Sequence, residues 1–287
     1  IKNLLEESNL DKLNIEQNPK KIELLKVSNL TKTYNEKILF FTKSKLSPAI
    51  QKLNFTINKG ECLGIVGPSG CGKSTLAKVI LGLINTDQGE IILNKNEINM
   101  KEKFKKDVRK KIQIVFQDPY SSFNPRHKIR KIISEPFFLH KSKYSKKELD
   151  ILLKKLIEAV GMQISDLEKF PHQFSGGQRQ RIAIARALST NPELIVLDEA
   201  LSALDIIIKK KILILLKSLS KKYDLSYLFI THDLNLVKVI ANKIIVMNKG
   251  KIVETGDTKE VLKNPKKNFT QKLIDCSIQL PKEWIQE

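Results

Sequence analysis

A glycine-rich stretch that begins at Gly67 contains the residue types needed to hold a phosphate chain. It matches the phosphate-loop pattern G-x-x-x-x-G-K-[ST] at every fixed position, and its residues are Gly67, Pro68, Ser69, Gly70, Cys71, Gly72, Lys73, Ser74 and Thr75. Glycine lets backbone N–H groups approach phosphate oxygens, and the start of a following helix adds unpaired N–H donors. Lys73 is expected to reach the β- and γ-phosphates, Ser74 to hold Mg²⁺, and Thr75 to add a phosphate contact. A chance glycine turn would not explain the apolar run before the stretch or the helical pattern after it.

Two carboxylates follow an apolar run that is typical of a strand buried on both faces. Asp198 and Glu199 come directly after residues 194–197. A carboxylate at such a strand end can hold Mg²⁺, directly or through water, and a second one can accept a proton from an attacking water. The structural alternative for Asp198 is a helix cap.

Two more polar side chains come at the ends of apolar runs. The amide of Gln117 can bind Mg²⁺ or orient water, and the imidazole of His232 can contact the γ-phosphate and the attacking water. Each residue by itself has a plain alternative, a surface glutamine or a structural histidine. Their interpretation therefore depends on the phosphate loop and the carboxylates.

A second anion-binding helix start is predicted at residues 175–181. It contains Ser175, Gly176, Gly177 and Gln178. A hydroxyl, two glycines and free helical N–H groups make an anion site, but serine is also a favoured helix cap in any protein. A single small domain is not expected to hold two phosphate sites. From these residues alone, the anion site and the simple helix cap therefore both stay open.

The elements that position these residues alternate between strands and helices. Strands are predicted over 22–27, 50–57, 62–66, 90–93, 111–117, 194–197, 225–230, 243–247 and 251–254. Helices are predicted from residue 75, over most of 129–160, and over 176–188, 206–218, 234–241 and 261–274. We therefore expect an N-terminal extension (1–22), a main domain (23–256) with a helical subdomain at about 118–190, and a C-terminal helical tail (257–287).

Composition excludes several classes of protein. No apolar run approaches the roughly 18 residues needed to span a bilayer, residues 1–20 are charged throughout and predict no secretory signal, and the three scattered cysteines predict neither a disulfide framework nor a metal site. The formal net charge is +20, yet lysine is spread from end to end and the six arginines lie in one middle region without interleaved aromatics. This placement predicts no nucleic-acid partner and leaves weak attraction to an anionic membrane surface.

The motifs together resemble the nucleotide-binding subunits of ABC transporters. Over about residues 22–256 the order is phosphate loop, Gln117, Ser175 to Arg179, Leu197-Asp198-Glu199, Ser202 to Asp205, and His232. The resemblance implies an α/β fold, a phosphate-loop (RecA-like) nucleotide-binding domain with an antiparallel β layer and a helical subdomain. It also implies an ATPase that works as a head-to-tail dimer with two ATP molecules and Mg²⁺ between the subunits.

The resemblance also assigns roles to individual residues. Lys73, Ser74, Gln117, Asp198, Glu199 and His232 would serve one ATP, with Ser74, Gln117 and Asp198 at the metal and Glu199 as catalytic base. Tyr34 would stack on adenine. Ser175 and Gly177 would touch the γ-phosphate held by the partner, and Asp205 would lie at the dimer seam.

Three features differ from the pattern of most ABC nucleotide-binding subunits. They resemble those of one subgroup, the ATP-binding subunits of oligopeptide and dipeptide importers and their nickel-importing relatives. They are Ala200-Leu201 after Glu199, Phe174 before Ser175, and the run at 116–126; residues 264–274 also resemble the subgroup's C-terminal segment. Many members continue into a cysteine-rich extension, whereas only Cys276 lies near this end, so no iron–sulfur cluster is predicted.

The subgroup implies partners and a location. These are two transmembrane permease subunits, a second ATPase subunit that is usually a paralogue, an extracytoplasmic substrate-binding protein reached indirectly, and the cytoplasmic face of the cell membrane. A nickel or metal-chelate importer is the alternative cargo. A non-transport ABC ATPase is a third reading, although neither a second cassette nor a long coiled-coil insertion is present.

Overall fold

The fold was analysed in a computed structural model, which describes residues 22–34, 48–98, 106–139 and 144–277. The extension predicted at 1–22 therefore lies outside the described residues except for its last residue. The end of the predicted C-terminal tail, residues 278–287, also lies outside them.

The described strands form two sheets. In chain order they are β1 (Glu23–Lys32), β2 (Ile50–Asn58), β3 (Cys62–Val66), β4 (Gln88–Leu93), β5 (Asn96–Ile98), β6 (Ile112–Val115), β7 (Leu194–Asp198), β8 (Ser226–Ile230), β9 (Lys243–Asn248) and β10 (Lys251–Asp257). One sheet has the order β10-β9-β3-β8-β7-β6 and the other has the order β2-β1-β4-β5.

The larger sheet is parallel from β9 to β6, and β10 is added antiparallel at its edge. Every residue of β3 and β8 is buried, as expected for central parallel strands covered on both faces. The smaller sheet is antiparallel, and leucine, valine and isoleucine side chains from it pack on one side of the larger sheet. Parallel strands end at a common edge, so the residues that follow β3, β6, β7 and β8 meet there.

Helices cover the larger sheet and fill the chain between β6 and β7. The described α-helices are α1 (Lys73–Ile80), α2 (Lys106–Lys111), α3 (Ile129–Leu139), α4 (Lys146–Ala159), α5 (Gly176–Leu188), α6 (Ile206–Tyr223), α7 (Leu234–Ile240), α8 (Thr258–Lys263) and α9 (Asn268–Asp275). Two short 3-10 helices, Ile164–Glu168 and Pro171–Gln173, lie between α4 and α5. Helices α3, α4 and α5 share one hydrophobic core with α6 and the sheet. The α/β fold with an antiparallel β layer and a helical subdomain is thus confirmed, and the domain boundaries remain predictions.

Some elements differ from the sequence prediction. The single helix predicted over 261–274 is wrong, because Asn264 and Pro265 separate α8 from α9, and a proline lacks the N–H that would continue a helix. The buried carboxylate of Glu254 accepts hydrogen bonds from the N–H groups of Lys266 and Lys267 at this break, at 2.8 and 3.2 Å. Strand β5 and helix α2 were not predicted. Within the described ranges, none of the helices combines the length and the apolar character that a membrane crossing requires.

Candidate nucleotide-binding site

The phosphate loop joins β3 to α1, and its shape depends on chain segments that are distant in sequence. Gly72 caps α1 with φ of 109°, and a Cβ atom at this position would lie 2.2 Å from the carbonyl oxygen of Ala49. The N–H of Gly250, in the β9–β10 turn, donates to the carbonyl of Cys71 at 3.0 Å. Ala49 and Gly250, which are not part of the loop, therefore hold its backbone in place, and only glycine fits at residue 72.

Lys73 is the first residue of α1 and is buried. Its Nζ donates to the carbonyls of Gly67 and Pro68, at 2.8 and 3.0 Å. These contacts hold the ammonium group against the loop, where it can exchange carbonyl oxygens for phosphate oxygens without leaving the site.

Ser74 and Asp198 come together at the carboxyl edge of the sheet. The Ser74 hydroxyl donates to Oδ1 of Asp198 at 3.3 Å. Burial raises the pKa of Asp198 above its ordinary value; the hydrogen bond from Ser74 opposes this shift, and the negative charge of Glu199 adds to it. The Ser74 hydroxyl and the Asp198 carboxylate are both hard oxygen ligands, the type that Mg²⁺ prefers.

Glu199 and His232 are paired at the same edge. His232 Nδ1 and Glu199 Oε2 are 2.8 Å apart, and the Glu199 N–H donates to the carbonyl of Ile230 at 2.9 Å. The backbone of Glu199 is left-handed, with φ of 51°. A side chain there costs about 1–2 kcal/mol, and such strain concentrates at functional sites. The imidazole is 62 % exposed and the carboxylate 17 % exposed, so this pair faces the open edge of the site.

Tyr34 and Gln117 border the same region. The Tyr34 hydroxyl lies 3.5 Å from the Thr75 hydroxyl, which places a half-exposed ring next to the end of the phosphate loop. Gln117 was predicted as the last residue of a strand, but β6 ends at Val115 and Gln117 lies exposed two residues further on. Because β6 pairs with β7 in parallel, Gln117 leaves the sheet on the same edge as Asp198.

The residues Ser175, Gly176, Gly177 and Gln178, here called the Ser175 group, form the start of α5, with Ser175 as its N-cap. The Ser175 hydroxyl accepts from the Gln178 N–H at 3.4 Å, and the Gln178 side chain accepts from the Ser175 N–H at 2.9 Å. This capping box is the structural reading of the motif. A Cβ at Gly177 would lie 2.5 Å from Ile208 of α6, whereas one at Gly176 would lie 3.4 Å from Leu204. Gly177 therefore allows α5 and α6 to approach closely.

Asp205 caps α6, where its carboxylate accepts from the Ile208 N–H at 2.9 Å. Its side chain is exposed, so the cap does not prevent a contact with another subunit. The sequence did not predict three contacts that shape the site. The Ala49 carbonyl lies against Gly72, Gly250 of the β9–β10 turn donates to the Cys71 carbonyl, and the Ile230 carbonyl accepts from the Glu199 N–H. Strands over 243–247 and 251–254 were predicted, but nothing in the sequence shows which loop the turn between them supports.

Comparisons with known proteins agree with this geometry. The family model described as ABC transporter matches residues 50–202. The chain is 45 % identical over 228 residues to the oligopeptide transport ATP-binding protein AppF of Bacillus subtilis, covering 79 % of this chain and 69 % of the relative. It is 40 % identical over 258 residues to the dipeptide transport ATP-binding protein DppF of Haemophilus influenzae, covering 90 % and 79 %. Its fold resembles the ATP-binding cassette MJ0796, solved as a dimer in a post-hydrolysis state with ADP and Pi, with a TM-score of 0.70 and 28 % identity over 82 % of this chain and 99 % of that one.

Proposed function

Because the chain belongs to the ABC transporter family, we propose that it is the ATP-hydrolysing subunit of an importer for oligopeptides or dipeptides. The observation that carries the ATPase assignment is the convergence of Lys73, Ser74, Asp198, Glu199 and His232 at one edge of the sheet. The peptide cargo is supported by the relatives, which are an oligopeptide and a dipeptide transport protein. These names give the nickel alternative no support.

ATP binds with its phosphates along the phosphate loop and its adenine on Tyr34. Backbone N–H groups at the start of α1 and the Lys73 ammonium contact the β- and γ-phosphates. The Ser74 hydroxyl, the Asp198 carboxylate and the Gln117 amide would hold Mg²⁺, whose charge offsets that of the β- and γ-phosphate oxygens. Among the described residues no group of three or more carboxylate, cysteine or histidine side chains could hold a metal. Mg²⁺ needs no such group, since one or two protein oxygens together with phosphates and waters satisfy it.

Hydrolysis uses the Glu199–His232 pair. The Glu199 carboxylate takes a proton from a water whose oxygen attacks the γ-phosphorus. The bond from that phosphorus to the bridging oxygen breaks, and its electron pair leaves with ADP. His232 orients the Glu199 carboxylate through the 2.8 Å contact and is exposed enough to reach the γ-phosphate.

The second half of the site comes from another subunit. Ser175 and Gly176, at the start of α5, are exposed, which suits a contact between the helical N–H groups there and the γ-phosphate of a partner's ATP. Asp205 lies on the exposed start of α6 and would contribute to the seam. The dimeric arrangement of MJ0796 supports this reading. The partner subunit is proposed to be a paralogue, with an identical copy as the alternative.

Transport requires membrane subunits that this chain contacts from the cytoplasmic face. We propose two permease subunits, engaged through the segment after Gln117, and an extracytoplasmic substrate-binding protein that acts through them. The nucleic-acid alternative is not favoured, because the lysines remain dispersed over the surface in both sheets and helices.

The test is copurification followed by transport. The tagged full chain is isolated from membranes, its associated subunits are identified, and the complex is reconstituted in vesicles with the substrate-binding protein. We expect ATP hydrolysis to rise with a mixture of di- to pentapeptides and not with Ni²⁺ or a nickel chelate. Stimulation by nickel alone would replace the peptide assignment, and recovery with ribosomes or DNA in place of membrane subunits would reject the transport function.

A further inference from the structure

The residues from Gln117 to His127, here called the Gln117 segment, fold into a series of tight turns. The Ser122 N–H donates to the Pro119 carbonyl at 3.1 Å, and the His127 N–H donates to the Asn124 carbonyl at 3.0 Å. Side chains close the same turns, since the Ser122 hydroxyl also donates to the Pro119 carbonyl at 2.7 Å. These local hydrogen bonds give the segment a defined backbone conformation. Contacts at a few of its residues therefore fix the position of the whole segment.

The strongest attachment of the Gln117 segment is to Arg186 of α5. One guanidinium nitrogen donates to the Ser122 carbonyl at 2.9 Å, and another donates to the Ser122 hydroxyl at 3.0 Å. The guanidinium also lies over the ring of Phe123, 5.0 Å from its centroid, and that ring is 5 % exposed. Burial lowers the pKa of Arg186, and the nearby Glu135 carboxylate opposes this shift. A half-buried cation therefore makes a two-pronged contact with one residue of the segment.

Two further contacts fix the segment on either side of Ser122. Arg179 of α5 lies over the Tyr120 ring, 5.1 Å from its centroid. At the other end His127 Nδ1 lies 3.2 Å from Glu135 of α3. Arg179 and Arg186 are separated by about two helical turns, or about 10.5 Å along α5, so both lie on one face of that helix.

The same helix begins with the Ser175 group. A helix is stiff over this length, so whatever fixes the Gln117 segment on α5 also fixes its position relative to Ser175. We propose that Arg186, assisted by Arg179, is a positioning residue that sets where Gln117 stands relative to its own ATP and ties that position to the Ser175 group. This inference rests on the proposed function of Gln117 as a ligand of Mg²⁺-bound ATP.

Arginine suits this role and lysine does not. The guanidinium is planar, donates in two directions at once and stacks on an aromatic ring, whereas an ammonium is a single charged point. Arg186→Lys therefore keeps the charge and most of the volume while removing the fork and the stacking. Arg181→Lys is the matched control, because Arg181 is on the same helix and donates to the Val160 carbonyl at 2.6 Å, away from the Gln117 segment.

The first measurement is hydrogen exchange of the full chain without nucleotide. In Arg186→Lys we expect the hydrogen-bonded amides of Ser122, Phe123 and His127 to exchange about tenfold faster, the scale of one lost hydrogen bond to a charged group. In Arg181→Lys they should exchange as in the unchanged chain. Equal exchange in both variants would overturn the proposed attachment, and global acceleration in Arg186→Lys would show a folding role instead.

The second measurement is ATP binding across a series of Mg²⁺ concentrations, which needs no turnover. Arg186→Lys should raise the half-saturating Mg²⁺ concentration about three- to tenfold, and Arg181→Lys should leave it unchanged. In a Gln117→Ala background Arg186→Lys should add nothing further, because it acts through Gln117. An additive effect, or no shift at all, refutes the positioning role. Absence of Mg²⁺-dependent ATP binding by the unchanged chain would instead reject the proposed function.

Discussion

Glu199→Gln should stop ATP turnover while ATP still binds. The amide oxygen of glutamine can accept the hydrogen bond from His232 Nδ1 as the Glu199 carboxylate does, so the 2.8 Å contact and the left-handed backbone at residue 199 are kept. The substitution removes only the negative charge and the ability to take a proton from water. The backbone strain at residue 199 is the same in both proteins, so a difference in turnover between them reports the loss of the proton-accepting carboxylate.

The size of the effect follows from that single loss. A positioned general base contributes about 10²- to 10⁴-fold to a rate, or about 3–5 kcal/mol in the activation free energy. ATP affinity should change by less than about threefold, because the contacts of Lys73 and Ser74 with the phosphates are untouched. Since bound ATP is not consumed, the two subunits should remain associated.

The assay is phosphate release by the complex, with ATP binding and the subunit association state measured on the same sample. His232→Ala is the companion variant: it leaves the base but removes its partner, and we expect a smaller loss of kcat, about ten- to a hundredfold. Turnover by Glu199→Gln within about threefold of the unchanged protein would show that another group takes the proton, and the reasoning from the Glu199–His232 pair would be refuted.

Three further outcomes follow from the structure. Gly72→Ala should lower the free energy of unfolding by about 2 kcal/mol or more and abolish ATP binding. In Gly70→Ala the added Cβ meets no atom within 4 Å, so the free energy of unfolding should fall by only about 1 kcal/mol, for the positive φ. Chemical denaturation measures the stability of the two variants, and ATP titration measures their ATP affinity. Gly177→Ala should push α5 away from α6 and lower both the ATPase activity and the Tm, whereas Gly176→Ala should leave both nearly unchanged. Equal Tm values for the two variants would contradict this. Because the folded pKa of Asp198 is raised, its contribution to stability is present below the unfolded pKa and is lost as the pH rises through the folded pKa. Asp198→Asn should therefore raise the Tm of the nucleotide-free protein at about pH 7 but not near pH 4, and it should remove the stabilisation by Mg²⁺ with ATP; a lowered Tm at pH 7 would contradict the sign.

Much of the fold and the site was predictable from the sequence because the signals are local. A phosphate loop needs its strand, glycines and helix in one stretch, and a capping box is completed within four residues, as at Ser175 and Gln178. Polar residues that follow apolar strands, such as Asp198, Glu199 and His232, meet because parallel strands end at one edge of a sheet. The resemblance of these ordered motifs to ABC nucleotide-binding subunits predicted that they serve one ATP, and the structure brings Ser74 to Asp198 and His232 to Glu199.

Other features were decided only by the tertiary structure, because they join residues far apart in the chain. Gly72 is confined by the carbonyl of Ala49, Cys71 is held by Gly250, and the strained backbone of Glu199 is fixed by Ile230. The attachment of Ser122 to Arg186 spans 64 positions. Composition and periodicity describe which residues lie on a face, but they carry no information about which distant face packs against it. The sequence by itself thus determined the chemistry that the site contains, and the packing of the two sheets and the helical subdomain decided how those groups are held.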